Sequence, residues 1–378
     1  QSSAQMVEIL LYVLTRTSQK TLSASQILVL KQLCDNPQLS VSQLNKQIKL
    51  SRPTITKILR QLRKDFGLKS GNLVDYSKFK LTTFNLIFHT KSYEDSRELE
   101  NWIMSTSPPF LKTLVFDIDY RNGYLAFAIP TQQRALQAFK HRARWLQQEF
   151  MEQTHLHQYH SLFWNLQFDN YDLNQGVWKE PIVLTNQTST VKSDIQETSD
   201  AHFQHSIQFG NAIKFTQSEY LLANAELKGA YSLNEKRDLL NRFGFTFSEK
   251  TVWAHLQRLK NQKVLAPYVY ISDAGFEEFI CISVQCEEDA YAPLKLLSSC
   301  LPFTYTYFTD CGIALYLKKP IGWSDISNRL INRISQIPGI YDIMVVHQER
   351  NVGSAAEFEL YRRWNEKRQF WEFNNQDI

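Results

Sequence analysis

The chain has 378 residues, enough for about two to four domains, and 43% of them are hydrophobic. No apolar run approaches the roughly 18 residues that a membrane-spanning helix needs, so an integral membrane protein is not expected. Lysine and arginine number 42 against 38 acidic residues, and the net charge of +4 does not by itself indicate a nucleic-acid partner. The five cysteines include no Cys-x-x-Cys pair, which argues against a disulfide framework or a zinc site.

The first segment, residues 1–20, predicts an amphipathic helix that packs on another part of the protein. Its apolar run from Met6 to Leu14 is short and contains Glu8. It also lacks the basic leader and the small-residue cleavage site of a signal peptide. We therefore expect a cytoplasmic protein.

Residues 21–76 predict a winged helix-turn-helix. Apolar residues recur at helical spacing in three runs, Ser40 and Ser51 stand where helix N-caps belong, and Pro53 falls in the first turn of the third helix. The segment Leu68–Val74 has a Gly-Asn pair in its middle, which is typical of a hairpin. Three helices and a hairpin make up a winged helix.

Residues 77–174 change to the period of strands. Predicted strands at 84–89, 113–119, 124–128 and 160–168 alternate with helices at 97–104 and 132–150. The order β-α-β-β-α-β is that of a ferredoxin-like domain.

The rest of the chain predicts a linker, a second copy of both units and a tail. Residues 175–212 are polar with little periodicity, so we predict a linker there. A second winged helix-turn-helix is predicted at 213–271, a second ferredoxin-like domain at 272–350, and a basic, aromatic helix at 351–378. That helix would dock on a partner or cover a sheet edge of the second domain. The predicted fold class is α+β, with two tandem modules that each combine a winged helix with a ferredoxin-like domain.

The duplication is visible in the residues. Ser51–Lys64 returns as Ser248–Asn261, and Gly123–Pro130 is echoed by Gly312–Pro320. A period of about 190 residues is far too long for a solenoid repeat. Two helix-turn-helix units in one chain form a covalent pseudo-dimer, and dimeric DNA readers place two recognition helices on successive half-sites. We also expect the two sheets to pair with each other, within the chain or between chains.

The first helix-turn-helix carries the charge that DNA binding requires. Residues 40–70 hold eight basic residues against one acid, Asp65, and the third helix would present a basic, polar face that fits a major groove. A solvated basic helix surface is the alternative. The second copy is weaker, because Glu249 would repel phosphate and Trp253 is interpreted as a packing residue. The predicted DNA-binding residues are Lys46, Lys49, Ser51, Arg52, Thr54, Thr56, Lys57, Arg60, Gln61 and Lys69, with Lys250, Thr251, Arg258 and Lys260 in the second copy.

Residues 248–285, including Lys263–Ile271 after the third helix, resemble the Lrp/AsnC family of transcription regulators. The resemblance implies a winged helix followed by an effector-binding and dimerisation domain. The expected partners are double-stranded DNA, a second copy in a homodimer that forms through exposed sheet faces, and a small-molecule effector, with no membrane and no cofactor. Family members usually carry one module. They also have an acidic residue just after the glycine of a turn where this chain has Tyr124 and Ile313, so we expect amino-acid sensing to be absent or changed. The candidate effector residues are Asp119, Gly123, Asp310 and Gly312.

Other functions are weighed against a regulator. No phosphate-binding loop, nucleophile elbow or kinase signature is present, so we expect no enzyme. His155, His157 and His160 are interpreted as exposed histidines at a helix–strand junction rather than metal ligands. Two alternatives stay open: an adaptor that uses its winged helices for protein contacts, and an enzyme similar to siroheme decarboxylases. The enzyme would need a cluster of Arg and His in the cleft between its ferredoxin-like domains.

Overall fold

The computed structural model describes residues 21–106, 108–117, 119–181, 184, 205–227, 232–323, 325–348, 350–353 and 359–374. The helix predicted at residues 1–20 lies outside the described residues, as do residues 185–204 of the predicted linker. No helix in the described part of the chain is long and apolar enough to cross a membrane.

The first helix-turn-helix begins where the sequence predicts. Its three helices are each capped by a serine (Ser23, Ser40 or Ser51) whose side chain accepts a hydrogen bond from a backbone amide in the first turn. Strand β1 follows directly. The elements are α1 (Ala24–Asp35), α2 (Val41–Ile48), α3 (Arg52–Asp65) and β1 (Lys69–Val74).

The first ferredoxin-like domain follows after a 3-10 turn at Tyr76–Phe79. Its last strand begins at Met151, nine residues before the predicted start. The prediction missed this part because it carries many Gln, His and Thr side chains, which do not show the apolar alternation typical of a strand buried on one face. The elements are β2 (Leu81–Thr90), α4 (Tyr93–Thr106), β3 (Leu111–Phe116), β4 (Asn122–Pro130), α5 (Gln133–Phe150) and β5 (Met151–Leu166).

The described parts of the predicted linker pack on the fold. Strands β6 (Tyr171–Asp172) and β7 (Val177–Trp178) form a small hairpin, and Nε1 of the buried Trp178 donates to the carbonyl of Ala274 at 2.7 Å. Strand β8 (His205–Gln208) pairs with β5. In its described ends, therefore, this segment is not a free linker.

The second copy repeats the same order of elements, which confirms the predicted fold class. A short strand then leads to the tail. The elements are α6 (Gln217–Leu227), α7 (Leu233–Arg242), α8 (Glu249–Asn261), β9 (Leu265–Tyr270), β10 (Phe276–Cys286), α9 (Tyr291–Ser299), β11 (Phe303–Thr309), β12 (Gly312–Pro320), α10 (Ile326–Ser335), β13 (Ile340–Gln348) and β14 (Arg350–Gly353).

The hairpin predicted after the first recognition helix is wrong. Strand β1 runs straight through Gly71 and Asn72, and its partner is β9 of the second copy, antiparallel from Lys69↔Tyr270 to Val74↔Leu265. We call this pair the ribbon. The strand that a local hairpin would have supplied comes instead from the equivalent segment of the other copy.

The two ferredoxin-like sheets pair within the chain. Strand β5 pairs with β2 in its first half and with β11 in its second half, and β14 pairs with β3, so the strand order is β13-β10-β12-β11-β5-β2-β4-β3-β14. The inner faces of the two sheets share a buried core that includes Ile87, Tyr124, Cys281 and Val346.

Each helix-turn-helix packs with the ferredoxin-like domain of the other copy. The first shares one core with the second domain, and the carbonyl of Phe66 accepts hydrogen bonds from the amides of Ser272 and Asp273, both at 3.1 Å. The second shares a core with the first domain, where Phe79 meets Phe215 at 4.7 Å between ring centroids. The copies are therefore intertwined through the ribbon.

The predicted C-terminal helix is also wrong. Residues Glu359–Arg363 form a 3-10 turn, and β15 (Trp364–Asn365) pairs with β16 (Phe370–Trp371). Both tryptophans are buried, Trp364 stacked on Phe215 and Trp371 donating from Nε1 to the carbonyl of Phe79 at 2.7 Å. The tail thus fastens the second helix-turn-helix to the first domain, because its aromatic residues are spaced for a hairpin with one buried face.

Candidate nucleic-acid interface and inter-sheet cavity

Helix α3 has one buried and one exposed face. Ile55, Ile58, Leu59 and Leu62 are buried in the helix-turn-helix core, as the spacing predicts. The other face is exposed except at Gln61, which is half-buried. Of the predicted DNA-binding residues it carries Ser51, Arg52, Thr54, Thr56, Lys57, Arg60 and Gln61.

Local hydrogen bonds fix the start of this face. The amide of Thr54 donates to Oγ of Ser51 at 3.3 Å, and the hydroxyl of Thr56 donates to the carbonyl of Arg52 at 2.9 Å. Nη2 of Arg52 donates to Oγ of Ser42 at 3.0 Å, which ties α3 to α2. These side chains therefore hold α3 in position as well as forming part of its exposed face.

The cations of the first helix-turn-helix are available to a partner. Lys57 and Arg60 project from α3, Lys46 and Lys49 from the end of α2, and Lys69 from the start of β1, and all five are exposed. None of the five forms an ion pair with a described residue. An exposed cluster of unneutralised cations is what phosphate contacts require.

The second helix-turn-helix pairs two of its arginines with its own carboxylates. Arg237 pairs with Glu249 at 3.2 Å, and Nη1 of Arg258 donates to the buried carboxylate of Glu219 at 2.9 Å. Burial would raise the pKa of Glu219, but hydrogen bonds from His255 and Thr216 and the charge of Arg258 hold it below its usual range. Arg258 therefore joins α8 to α6 instead of projecting freely from α8.

The remaining predicted residues of α8 differ in exposure. Lys250 is exposed, Lys260 is half-buried, and the hydroxyl of Thr251 lies 2.9 Å from the capping Oγ of Ser248. Trp253 is 53% exposed, so its interpretation as a packing residue is wrong. The helix period places it on the flank of α8, beside the face that buries Val252 and Leu256.

The candidate effector residues lie on two different turns. In the first turn, Asp119 is exposed, while the neighbouring Asp117 is buried and accepts hydrogen bonds from the amides of Arg121 and Asn122, both at 3.2 Å. A Cβ at Gly123 would lie 2.3 Å from the carbonyl oxygen of Val115, so this glycine permits close strand approach.

In the second turn, the exposed Asp310 accepts a hydrogen bond from the amide of Gln158 at 3.1 Å. Gly312 has φ +152°, and a Cβ there would lie 1.9 Å from the carbonyl of Val284. Both glycines are thus explained by strand geometry, and the structure does not bring the four residues into one site.

Two histidines on β5, His155 and His157, are buried between the sheets, so their interpretation as exposed junction residues is wrong. His160 is exposed as expected, but it lies in the middle of β5 and not at a helix–strand junction. The hydroxyl of Ser283 lies 2.6 Å from Nδ1 of His155 and 2.6 Å from Nε2 of His157. Nε2 of His155 lies 3.1 Å from Oδ2 of Asp342. If a neutral His155 donates its Nε2 hydrogen to Asp342, its Nδ1 accepts a hydrogen bond from the hydroxyl of Ser283. The oxygen of Ser283 then accepts a hydrogen bond from Nε2 of His157. No group of three His, Cys, Asp or Glu residues within the described ranges could hold a metal ion.

A cavity of about 310 Å³ lies between the sheets, next to the ribbon. The hydroxyls of Tyr159 and Tyr316 lie 3.1 Å apart, and Nδ2 of Asn85 donates to Tyr316. Burial raises the pKa of both tyrosines, so their hydroxyls are neutral. Sequence reasoning missed this site, because alternation shows that these side chains share a face but not that a second sheet covers it. Lining residues include Asn85, Lys112, Tyr124, Tyr159, Tyr307 and Tyr316.

Comparisons with known proteins match one short segment to a family and larger parts of the chain to solved structures. Residues 22–65 match the MarR family. No curated protein matches the sequence. Among solved structures, siroheme decarboxylase NirDL is similar at 13% identity and a TM-score of 0.47, over 89% of this chain and 98% of that chain.

Other solved structures match smaller parts of the chain. LrpC of B. subtilis is 19% identical over 36% of this chain and 94% of its own, with a TM-score of 0.26. AsnC of E. coli is 15% identical over 36% of this chain and 91% of its own, with a TM-score of 0.27. The expectation that the chain is not an enzyme is contradicted, since the similar structures that cover most of the chain are those of an enzyme. The chain is thus similar, at low identity, to LrpC, to AsnC and to siroheme decarboxylase NirDL.

Proposed function

We propose that the chain binds double-stranded DNA through its first helix-turn-helix, with α3 in the major groove, and acts as a cytoplasmic transcription regulator. The observation that carries this proposal is the set of five exposed cations on α2, α3 and β1, none with an acidic partner among the described residues. Lys57 and Arg60 lie one turn apart on the outer side of α3, where phosphates or guanine edges of a groove would meet them.

The second helix-turn-helix supports the same proposal by contrast. In the alignment of the two copies, α8 has Ala254 and Gln257 at the positions of Lys57 and Arg60. In the same unit, Arg237 of α7 and Arg258 of α8 are paired with carboxylates. We therefore assign the larger share of DNA affinity to the first copy.

The test is a salt titration of DNA affinity. Replacing both Lys57 and Arg60 with Ala should weaken binding to duplex DNA and reduce the salt slope by about one unit for each phosphate that is no longer neutralised. The matched control is the Lys250→Ala, Lys260→Ala variant of α8, for which a smaller decrease in affinity is expected. Fluorescence anisotropy at several salt concentrations measures both quantities.

Equal decreases in the two variants would contradict the assignment to the first copy. If neither variant binds DNA more weakly, DNA binding through these helices is refuted and the adaptor alternative gains. The homodimer stays a prediction, and the sheet faces that motivated it are paired within the chain.

The tetrapyrrole-enzyme alternative makes a separate prediction, an absorbing ligand in the purified protein. Among the described residues that line the inter-sheet cavity, Lys112 is the single cation, whereas acidic tetrapyrroles need several. His155 and His157 are hydrogen-bonded to Ser283. An absorption spectrum, together with titration of a metallated tetrapyrrole, tests this alternative independently of DNA.

A further inference from the structure

The inter-sheet cavity has the size of a small-molecule site. Its volume of about 310 Å³ is at the low end of the roughly 300–1,000 Å³ typical of ligand pockets. Residues of both ferredoxin-like domains line it, with Asn85 and Tyr124 from the first and Phe279 and Tyr316 from the second, and Leu73 adds a contact from the ribbon. An occupant would therefore touch three parts of the fold at once.

One of the residues that line the cavity, Asn85, has a buried hydrogen-bond acceptor without a partner. Asn85 is 1% exposed, and its Oδ1 makes no hydrogen bond although Nδ2 donates to Tyr316. Buried polar groups in proteins are nearly always paired, because an unpaired one keeps the cost of losing water without a compensating bond. An N–H or O–H group on a bound molecule would satisfy this oxygen.

The other lining side chains specify the shape and charge of that molecule. Tyr159 and Tyr307 stack with ring centroids 4.2 Å apart, and Tyr124 and Tyr316 meet edge to face at 5.7 Å. Aromatic walls of this kind favour a flat ring. Lys112 supplies one positive charge, with its Nζ held 3.7 Å from the centroid of the Tyr76 ring.

From this geometry we infer that the cavity binds a small aromatic carboxylate that carries an N–H or O–H donor, such as an indole or phenol acid. The ring lies among the tyrosines, the donor meets Oδ1 of Asn85, and the carboxylate faces Lys112. A neutral analogue keeps the ring and the donor but offers Lys112 no negative charge.

The position of the cavity connects its occupant to both recognition helices. Leu73 belongs to β1, which follows α3, and Tyr268 of β9, which follows α8, packs in one cluster with Tyr305 and Tyr307. A ligand that contacts the ribbon more favourably in one arrangement of the helices shifts the protein toward that arrangement. This second step, a ligand-dependent change of DNA affinity, rests on the proposed function.

The binding step is tested by calorimetry on the full chain with indole-3-acetate, 4-hydroxyphenylacetate and indole-3-acetamide. We expect both acids to bind and the amide to bind at least tenfold more weakly. Asn85→Ala should weaken the acids at least tenfold. Lys112→Met should abolish the preference for acid over amide.

Ala126, which lines the cavity, provides the control for folding. Ala126→Leu fills the space and should abolish binding while the circular dichroism spectrum is kept, whereas Tyr341→Phe, at an exposed tyrosine, should bind like the unchanged protein. Absence of binding by either acid, or binding that survives Ala126→Leu, overturns the site.

Coupling is tested by repeating the DNA titration with a saturating acid, for which we expect a change in affinity of at least threefold. A bound acid that leaves DNA affinity unchanged overturns the coupling. Failure of the proposed DNA function is recognised separately, because calorimetry of the cavity needs no DNA.

Discussion

Two buried imidazoles make the joint between the sheets sensitive to acid. Burial and the neighbouring His155 lower the pKa of His157 to about 4, and burial lowers that of His155 despite the facing carboxylate of Asp342. In the unfolded chain both groups titrate near pH 6.5. As the pH falls, the unfolded state therefore takes up protons before the folded state does. The contribution of the two neutral histidines to stability is complete above about pH 6.5 and is lost as the pH falls toward 4.

We expect the free energy of unfolding to fall by up to about 3 kcal/mol between pH 7 and pH 4 because of His157. Asp342 and Asp310 face the same histidines. Partial burial raises the pKa of Asp342, but hydrogen bonds from His155 and Gln153 outweigh this effect and lower the pKa overall. Protonation of Asp342 therefore adds to the destabilisation in acid. Denaturant titrations at several pH values measure the free energy of unfolding as a function of pH. His157→Gln should flatten the profile, whereas the exposed His160→Gln should not, and an unchanged slope in His157→Gln would contradict the assignment.

At the scale of elements, a buried charge pair joins the ribbon to the second helix-turn-helix. Glu226 of α6 pairs with Lys236 of α7 at 2.5 Å and accepts from Nδ2 of Asn72 in β1 at 2.5 Å, and all three residues are buried. Glu226→Ala leaves a buried ammonium without its partner. We expect a decrease of about 3 kcal/mol in the free energy of unfolding.

The matched variant removes both charges. Glu226→Leu with Lys236→Met should recover much of that stability, because two apolar side chains of similar size carry no desolvation cost. Denaturant unfolding of the three proteins measures this. A double variant as unstable as Glu226→Ala would show that hydrogen bonding to Asn72, not the charge pair, holds the joint.

The same elements show how much the sequence could predict. The start of α3 was predictable because Ser51, Pro53 and the apolar spacing are local signals, and the order of strands and helices was predictable for the same reason. The ribbon was not, since β1 and β9 are far apart in the chain and a Gly-Asn pair in mid-strand resembles a turn. In the candidate sites, exposure of Lys57 was predictable from the period of α3. The ion pair between Arg258 and Glu219 was not predictable, because it depends on how α6 packs against α8.

At the scale of the whole molecule, two recognition helices share one chain but differ in charge. Each is held on the ferredoxin-like domain of the other copy, so the ribbon and the joined sheets fix their relative position. The first helix-turn-helix carries five exposed cations without acidic partners among the described residues, and the second pairs Arg237 and Arg258 internally. The chain thus presents two helix-turn-helix units, of which the first has the larger set of exposed, unpaired cations.

Transfer of the missing cations to α8 tests this asymmetry. Ala254→Lys with Gln257→Arg places Lys57 and Arg60 equivalents on the second helix. We expect the salt slope of binding to random-sequence duplex DNA to steepen by about two units, because two more phosphates can be neutralised. The control is the reverse transfer, Lys57→Ala with Arg60→Gln, which should reduce the slope by a similar amount. If the transfer to α8 leaves the slope unchanged while the control reduces it, α8 does not face the duplex, and the chain contacts DNA with one helix-turn-helix only.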